Sequence, residues 1–466
     1  MTASVPRLNL IAWSSLVAVA LAARAAHADP APTPDVAGAP SPGDESGRVD
    51  PGAHADRPST ARAVARAVLF VPKALLWLVL TPVRGGLWLY DRYQFDGAFR
   101  GTFHTRDDTF GIVPTFIYQT GFGPMLGAEL RGIDLFGERE RLMVGAAYGG
   151  PYQMGAETWM DTGQRLGPVT LRLGGNFDRF SKLRFYGIGN DDGGPRPPFL
   201  VDPISSAFAT ETRYRYQELR AAFGVDWAVL DDLRFQPSVA VTDLRYGPSE
   251  SGTPIDAVFD PVGLVGFIGD VTHVYGEVQL RWDRRRIAAP AWETTTYTAG
   301  WLVSAFAGRV HQLEPCCDFT HYGVDLQQLV HLGIGPRMVV LRLWGEGVTG
   351  SYDEVPFSEL PYLGGDVLRG YDFMRFRDRV ALQGTAEYVW DVGRFTNAFL
   401  FVDAGRVYPS LEDFTFDGMR VGYGGGLSIH TRAGFLIAAT LASSIDGGIF
   451  VTARLGPLLD EVPRWR

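Results

Sequence analysis

Alternation of apolar and polar residues dominates the chain beyond Thr109. Val274, Gly276, Val278, Leu280 and Trp282 interleave with Tyr275, Glu277, Gln279, Arg281 and Asp283. Side chains point to opposite faces along a strand, so this run is apolar on one face and polar on the other. Comparable runs begin near Thr109, Gly123, Glu140, Tyr152, Arg165, Thr212, Asp232, Asp270, Thr296, Thr320, Arg337, Arg379, Thr396, Met419, Gly434 and Gly447. Two successive runs carry the inward carboxylates Glu387 and Asp403. Between Arg379 and Trp390, Glu387 shares the polar face with Arg379, Gln383 and Thr385. Between Thr396 and Gly405, Asp403 shares its face with Asn397, Phe399 and Phe401. An apolar outer face around a charged inner face describes a membrane barrel. The predicted fold is all-β: a 16-stranded antiparallel transmembrane β-barrel over residues 109–457.

One run departs from the pattern. From Glu211 to Phe223 the apolar face changes parity near Gln217, as a bulge or a strand rising beyond the lipid would produce. The connections fit the count. With the N-terminus in the periplasm, the long connections Arg179–Thr210, Gly247–Gly269 and Gly350–Asp378 all fall outside, while Asp134–Arg139 and Gly393–Phe395 are short inner turns.

The segments before and after the barrel differ in kind. Arg7 precedes an apolar stretch from Leu10 to Ala23, and Ala26-His27-Ala28 offers a cleavage site, so residues 1–28 read as a signal peptide. Residues 29–59 are rich in Pro, Ala, Gly and Asp and read as a disordered linker. Residues 60–95 mix Arg62, Arg66, Lys73, Arg84 and Arg92 with Trp77, Trp88, Tyr90 and Tyr93. This basic, aromatic composition predicts short amphipathic helices at the membrane interface, or helices that cap or plug the barrel. Residues 458–466 form a C-terminal tail behind Pro457.

Composition changes this picture little. Hydrophobic residues make up 46 %, a share that soluble proteins reach too. Fifty-six glycines and 12 % aromatics suit short strands, turns and interfacial girdles. No run approaches the ~20 apolar residues of a membrane helix. The net charge of −9 argues against nucleic acid as a partner. Neither a G-x-S-x-G elbow nor an H-E-x-x-H helix occurs, so the chain is not expected to be an enzyme. No metal or cofactor is implied. Cys316 and Cys317 are adjacent in the fifth outward loop and could form a vicinal disulfide, pair between molecules or remain thiols. Tyr423-Gly424-Gly425-Gly426 lies in a strand-like run and is read as easing barrel packing.

The tetrapeptide Leu368-Arg369-Gly370-Tyr371, in the sixth outward loop, precedes both inward carboxylates. This order resembles the BamA/TamA superfamily of outer-membrane barrels, also called the bacterial surface antigen family. That family carries V/L-R-G-F/Y in loop six, an inward Glu on strand twelve, matched by Glu387, and F-x-D-x-G on strand thirteen, matched by Phe401, Asp403 and Gly405. Phe185-Tyr186-Gly187-Ile188-Gly189-Asn190 is similar to the family's third loop. The resemblance implies that Arg369 folds into the lumen and docks on Asp403 near Glu387, in a protein of the bacterial outer membrane. It further implies insertion or translocation of proteins there. The partners it suggests are outer-membrane lipid and lipopolysaccharide, client outer-membrane proteins, or a periplasmic partner.

Two further features bear on this reading. No strand pattern lies between Ala28 and Thr109, so the POTRA modules with which the family's assembly factors collect clients are not expected. A POTRA-less barrel acting as a pore or a surface-exposed structural protein is therefore the alternative. Pro114 lies within the first strand-like run, where proline cannot donate a ladder hydrogen bond. It either weakens the seam between first and last strands, where client-inserting family members open, or lies outside the paired part of strand one.

Overall fold

The computed structural model describes residues 105, 109–190, 211–286, 299–313, 318–332, 337–393, 396–430 and 435–457. The expected signal peptide, linker, interface helices, C-terminal tail and the Cys316–Cys317 pair lie outside these residues. The described chain is built from sixteen long strands. The first eight are β1 Phe110–Gln119, β2 Gly123–Ile133, β3 Arg141–Tyr148, β4 Gln153–Asp161, β5 Val169–Phe185, β6 Thr212–Leu230, β7 Leu233–Pro248 and β8 Val271–Asp283. The second eight are β9 Gly300–Gln312, β10 Phe319–His331, β11 Arg337–Val348, β12 Val380–Gly393, β13 Thr396–Tyr408, β14 Arg420–His430, β15 Phe435–Ser444 and β16 Phe450–Pro457. Each pairs antiparallel with its predecessor, and β1 closes on β16.

The alternation read from the sequence becomes an inside and an outside. On β13, Leu400 and Val402 are 54 % and 49 % exposed on the outer wall, while Phe401 and Asp403 are buried inward. Tyr388 and Trp390 stack with ring centroids 5.4 Å apart on the outer face of β12. Closure brings the last strand back to the first, so the sheet has no fully free edge.

Strands β5 to β7 are the tallest, at 17, 19 and 16 residues. A span needs about 9–11 residues, so these strands rise well beyond the lipid. This explains the parity change at Gln217. The backbone of β6 keeps its alternation there, and the extra residue is a bulge in β5, between Phe180 and Leu183. What changes is the surroundings. Below Gln217 the outer face meets lipid and shows Leu219 and Phe223. Above it the outer face meets water and shows Arg213 and Arg215, while Tyr214 turns inward into a protein core.

That core is a cap over the long-loop end of the barrel. Residues 249–270 and 349–379 fold inward and bury Phe185, Tyr214, Leu244, Phe259, Leu264 and Phe357 together. The Phe357 ring is the centre, with Phe185, Tyr214 and Tyr246 at centroid distances of 5.4, 5.1 and 5.3 Å. Aromatic pairs at such distances gain about 0.5–1.5 kcal/mol beyond their buried area.

Candidate functional site

The loop of residues 349–379 descends from the cap into the lumen. A two-stranded ribbon, Tyr362–Leu363 against Phe376–Arg377, stiffens its base. Leu363, Leu368, Tyr371 and Phe376 then bury themselves against Ala381 and Val407 of the barrel wall. This apolar packing aims Arg369 at the wall.

Arg369 meets two strands at once. Its Nε donates to Asp403 Oδ2 at 2.8 Å and its Nη2 to Oδ1 at 2.8 Å. Its backbone N–H donates to Oδ2 at 3.1 Å, and Nη1 donates to Glu387 Oε2 at 2.8 Å. The guanidinium carbon lies 3.5 Å from the centroid of the Phe401 ring. Bidentate, charge-assisted pairing fixes orientation as well as energy. Stacking on Phe401 adds about 0.5–2 kcal/mol, depending on how dry the site is.

Local register assembles the receptor. Thr385 pairs with Asp403 and Glu387 with Phe401 across the β12–β13 ladder, all pointing inward. Asp403 is fully buried, a position that a carboxylate tolerates only when its oxygens are satisfied. Its fourth donor is the Thr385 hydroxyl at 2.9 Å, and Gln383 in turn donates to Thr385. Thr385 and Gln383 escape motif reading, although their place on the inward face of β12 beside Glu387 was visible.

Glycines make the approach possible. Gly370 adopts φ +94°, and a Cβ there would lie 2.2 Å from Ser443 O. At Gly422 on β14 a Cβ would lie 1.7 Å from Arg369 O. Further along the same inward face, the Phe401 and Phe399 rings lie across Gly424 and Gly426, within 2.9 and 2.4 Å of where a Cβ would stand. The glycine run therefore forms a flat floor for the loop and its stacking partner. Gly405 has a smaller part, next to Leu363.

Other bonds tie the loop to distant walls. Tyr371 donates its hydroxyl to Asp446 at 2.9 Å, in the turn between β15 and β16. Asp372 pairs with Arg184 at the top of β5 and accepts from the Tyr186 hydroxyl at 3.0 Å. Asp366 pairs with Arg454 of β16. The Phe185–Asn190 stretch straps the arrangement from above. Asn190 accepts from the Val407 N–H at 3.0 Å and returns its own amide to Val407 O, while Gly189 N–H donates to Arg377 O at 2.8 Å.

The closing seam is the second feature. β1 and β16 pair over four positions, Phe116↔Leu455 to Gln119↔Thr452, whereas β1–β2 pairs ten and β15–β16 pairs eight. The Thr120 N–H donates to Val451 O at 3.0 Å, which sets the phase of the ladder. Antiparallel ladders alternate hydrogen-bonded and non-hydrogen-bonded pairs. Phe116↔Leu455 is thus a hydrogen-bonded pair, and the same register carried two residues further, past the end of the ladder, leads to Pro114 on β1 and Pro457 on β16. Neither has an N–H to give. Pro114 pairs normally with Ala128 of β2, so it lies within strand one but beyond the described seam pairing.

Residues 303–440, from β9 to β15, match the Omp85 superfamily domain. The match makes this part of the barrel Omp85-like. The matched segment contains the whole loop-six dock. Among solved structures, the barrel resembles BamA from Haemophilus ducreyi lacking POTRA domains 1-3, at 12 % identity and a TM-score of 0.53, covering 74 % of this chain and 70 % of that one. CdiB from Acinetobacter baumannii aligns at 13 % identity and a TM-score of 0.46, over 74 % and 59 % of the two chains. CdiB from Escherichia coli aligns at 10 % and 0.48, over 74 % and 62 %. No curated protein sequence matches the chain. The Omp85 match and the barrel fold place the chain in the bacterial outer membrane, so the cap lies at its extracellular end.

Proposed function

We propose that this barrel inserts or translocates proteins at the outer membrane, working as an assembly or transport protein rather than as an enzyme, and that the β1–β16 seam is its working edge. The seam is the observation that carries this reading. A four-position ladder that stops at two opposed prolines is the cheapest place in the wall to open. An opened seam exposes unpaired N–H and C=O groups that template an incoming strand. Loop six, docked through Arg369, Asp403 and Glu387, holds the wall next to that edge in one arrangement.

The test uses the full chain with Cys316→Ser and Cys317→Ser, carrying Gln119→Cys and Thr452→Cys to staple the seam. These two face each other in a non-hydrogen-bonded pair, where Cβ atoms approach most closely. Proteoliposomes with the reduced barrel should accelerate folding of a urea-denatured outer-membrane barrel. Oxidation should abolish the acceleration and reductant restore it. Equal rates with the seam stapled and free would overturn the reading. Steady single-channel conductance without any client effect would leave a pore in its place.

A further inference from the structure

The outer wall of β5–β7 has a feature that neither the loop-six dock nor the seam uses. Its lipid-facing apolar surface, with Leu219 55 % exposed beside Phe223, Val239 and Val241, ends abruptly at its extracellular rim. One outward position above Leu219, Arg179 of β5 stands opposite Gln217 of β6, and Gln217 stands opposite Arg245 of β7. The two arginines therefore flank one glutamine on a single row, two strand spacings or about 10 Å apart. One outward position higher, Arg215 pairs with Gly247 and lays its guanidinium across it. A Cβ at Gly247 would come within 2.7 Å of Arg215 Nη2, so a side chain there would displace the arginine.

The charges of this row are only partly committed. Arg215 is exposed and has no ion-pair partner among the described residues. Arg245, with a side chain 56 % exposed, lies 2.9 Å from Asp243 and 3.8 Å from Asp270. Arg179 lies 3.6 Å from Glu250, itself well exposed. Exposed pairs of this kind contribute about 0–1 kcal/mol each. A multiply charged anion can displace them at little cost.

We propose that Arg179, Arg215 and Arg245 form a binding site for the phosphates of lipid A in the outer leaflet. Height is the first argument, since the row begins where the apolar wall ends, at headgroup depth. Chemistry is the second. Guanidinium groups match phosphate oxygens bidentately, and Gln217 between them can donate to a sugar or phosphate oxygen. The direction of the site is the third. It opens sideways into the bilayer, so a ligand with acyl chains on the apolar wall and phosphates on the row uses both surfaces at once. Free phosphate could use only one.

The test is native mass spectrometry of the full chain released from phosphatidylethanolamine nanodiscs, titrated with diphosphoryl lipid A, its dephosphorylated derivative or inorganic phosphate. Diphosphoryl lipid A should bind, and Arg215→Ala with Arg245→Ala should weaken it about tenfold or more, since two charge-assisted contacts are lost. Gly247→Leu, which leaves every charge in place, should weaken it by crowding Arg215. Equal binding of dephosphorylated lipid A would overturn the proposal, as would equal binding by the double variant, or inorganic phosphate competing at the affinity of the lipid. The site stands or falls independently of the seam, because none of these variants touches β1 or β16.

Discussion

Tyr352 donates its hydroxyl to Asp378 Oδ1 at 2.6 Å inside the extracellular cap. The same oxygen accepts the Arg379 N–H at 2.8 Å. Burial dominates the environment of this carboxyl, and it outweighs the two hydrogen bonds and the positive field of Arg379, while Asp413 adds a further push upward. The pKa is raised to about 6 from an ordinary 3.8.

A folded pKa above the unfolded one means that the folded cap binds the proton more tightly. The resulting stabilisation is complete below about pH 3.8 and is lost as pH rises through about 6. A difference of about two units corresponds to roughly 3 kcal/mol at most. Asp378→Asn keeps an acceptor for Tyr352 and Arg379 but removes the titration. It should make the cap more resistant to protease at pH 7 and flatten the pH dependence between 4 and 6. Proteolysis of loop six in detergent, read across that range, checks both; an unchanged pH profile in the variant would remove Asp378 as the cause.

Arg369 and Asp403 are expected to act as one unit. Removing one partner of a buried pair costs about 3–5 kcal/mol, with the low end expected here because Arg369 and Glu387 remain partly wet. Arg369→Ala and Asp403→Ala should each leave the barrel folded, loosen loop six and raise its protease sensitivity. The double variant should be little worse than either single one. Simple addition of the two effects would show that the contact carries no coupling energy.

Gly422→Ala tests the floor rather than the charges. Its Cβ would meet the Arg369 carbonyl at 1.7 Å, so the loop must lift even though all three charged groups remain. The variant should reproduce the Arg369→Ala protease pattern and add little to it in combination. A protease pattern like that of the parent barrel would mean that β14 moves aside instead.

Much of this was readable before the structure. Alternation located the strands because lipid outside and a polar lumen inside impose opposite demands on successive residues. It faltered at Gln217 for the same physical reason, since above the membrane the outside is water and the inside is the cap. Arg369, Glu387 and Asp403 stood out as a motif in the right order. Their supports did not. The Arg184–Asp372 pair joins residues 188 positions apart, and the Asn190 clamp on Val407 spans 217. Such contacts depend on where the closed barrel brings its loops, and no local pattern encodes that. The inward glycines were visible as a run, but their purpose appears only when Phe401 and the Arg369 backbone lie across them.

The opposed prolines make a sharp claim about the seam. At a hydrogen-bonded position each strand contributes one N–H, so Pro114→Ala and Pro457→Ala should each supply one missing ladder bond. A net hydrogen bond contributes about 0.5–1.5 kcal/mol, so the double variant should gain about 1–3 kcal/mol across the seam. The two gains should add, because the bonds run in opposite directions and use different atoms. Both replacements also relax the unfolded chain, which offsets part of the gain. The expected readouts are a higher temperature for loss of the folded band in a gel-shift assay and slower client folding in proteoliposomes. A double variant that is more heat-resistant yet just as active would separate seam strength from activity. One with neither change would show that the ladder ends at Phe116 and Leu455 for a reason other than the prolines.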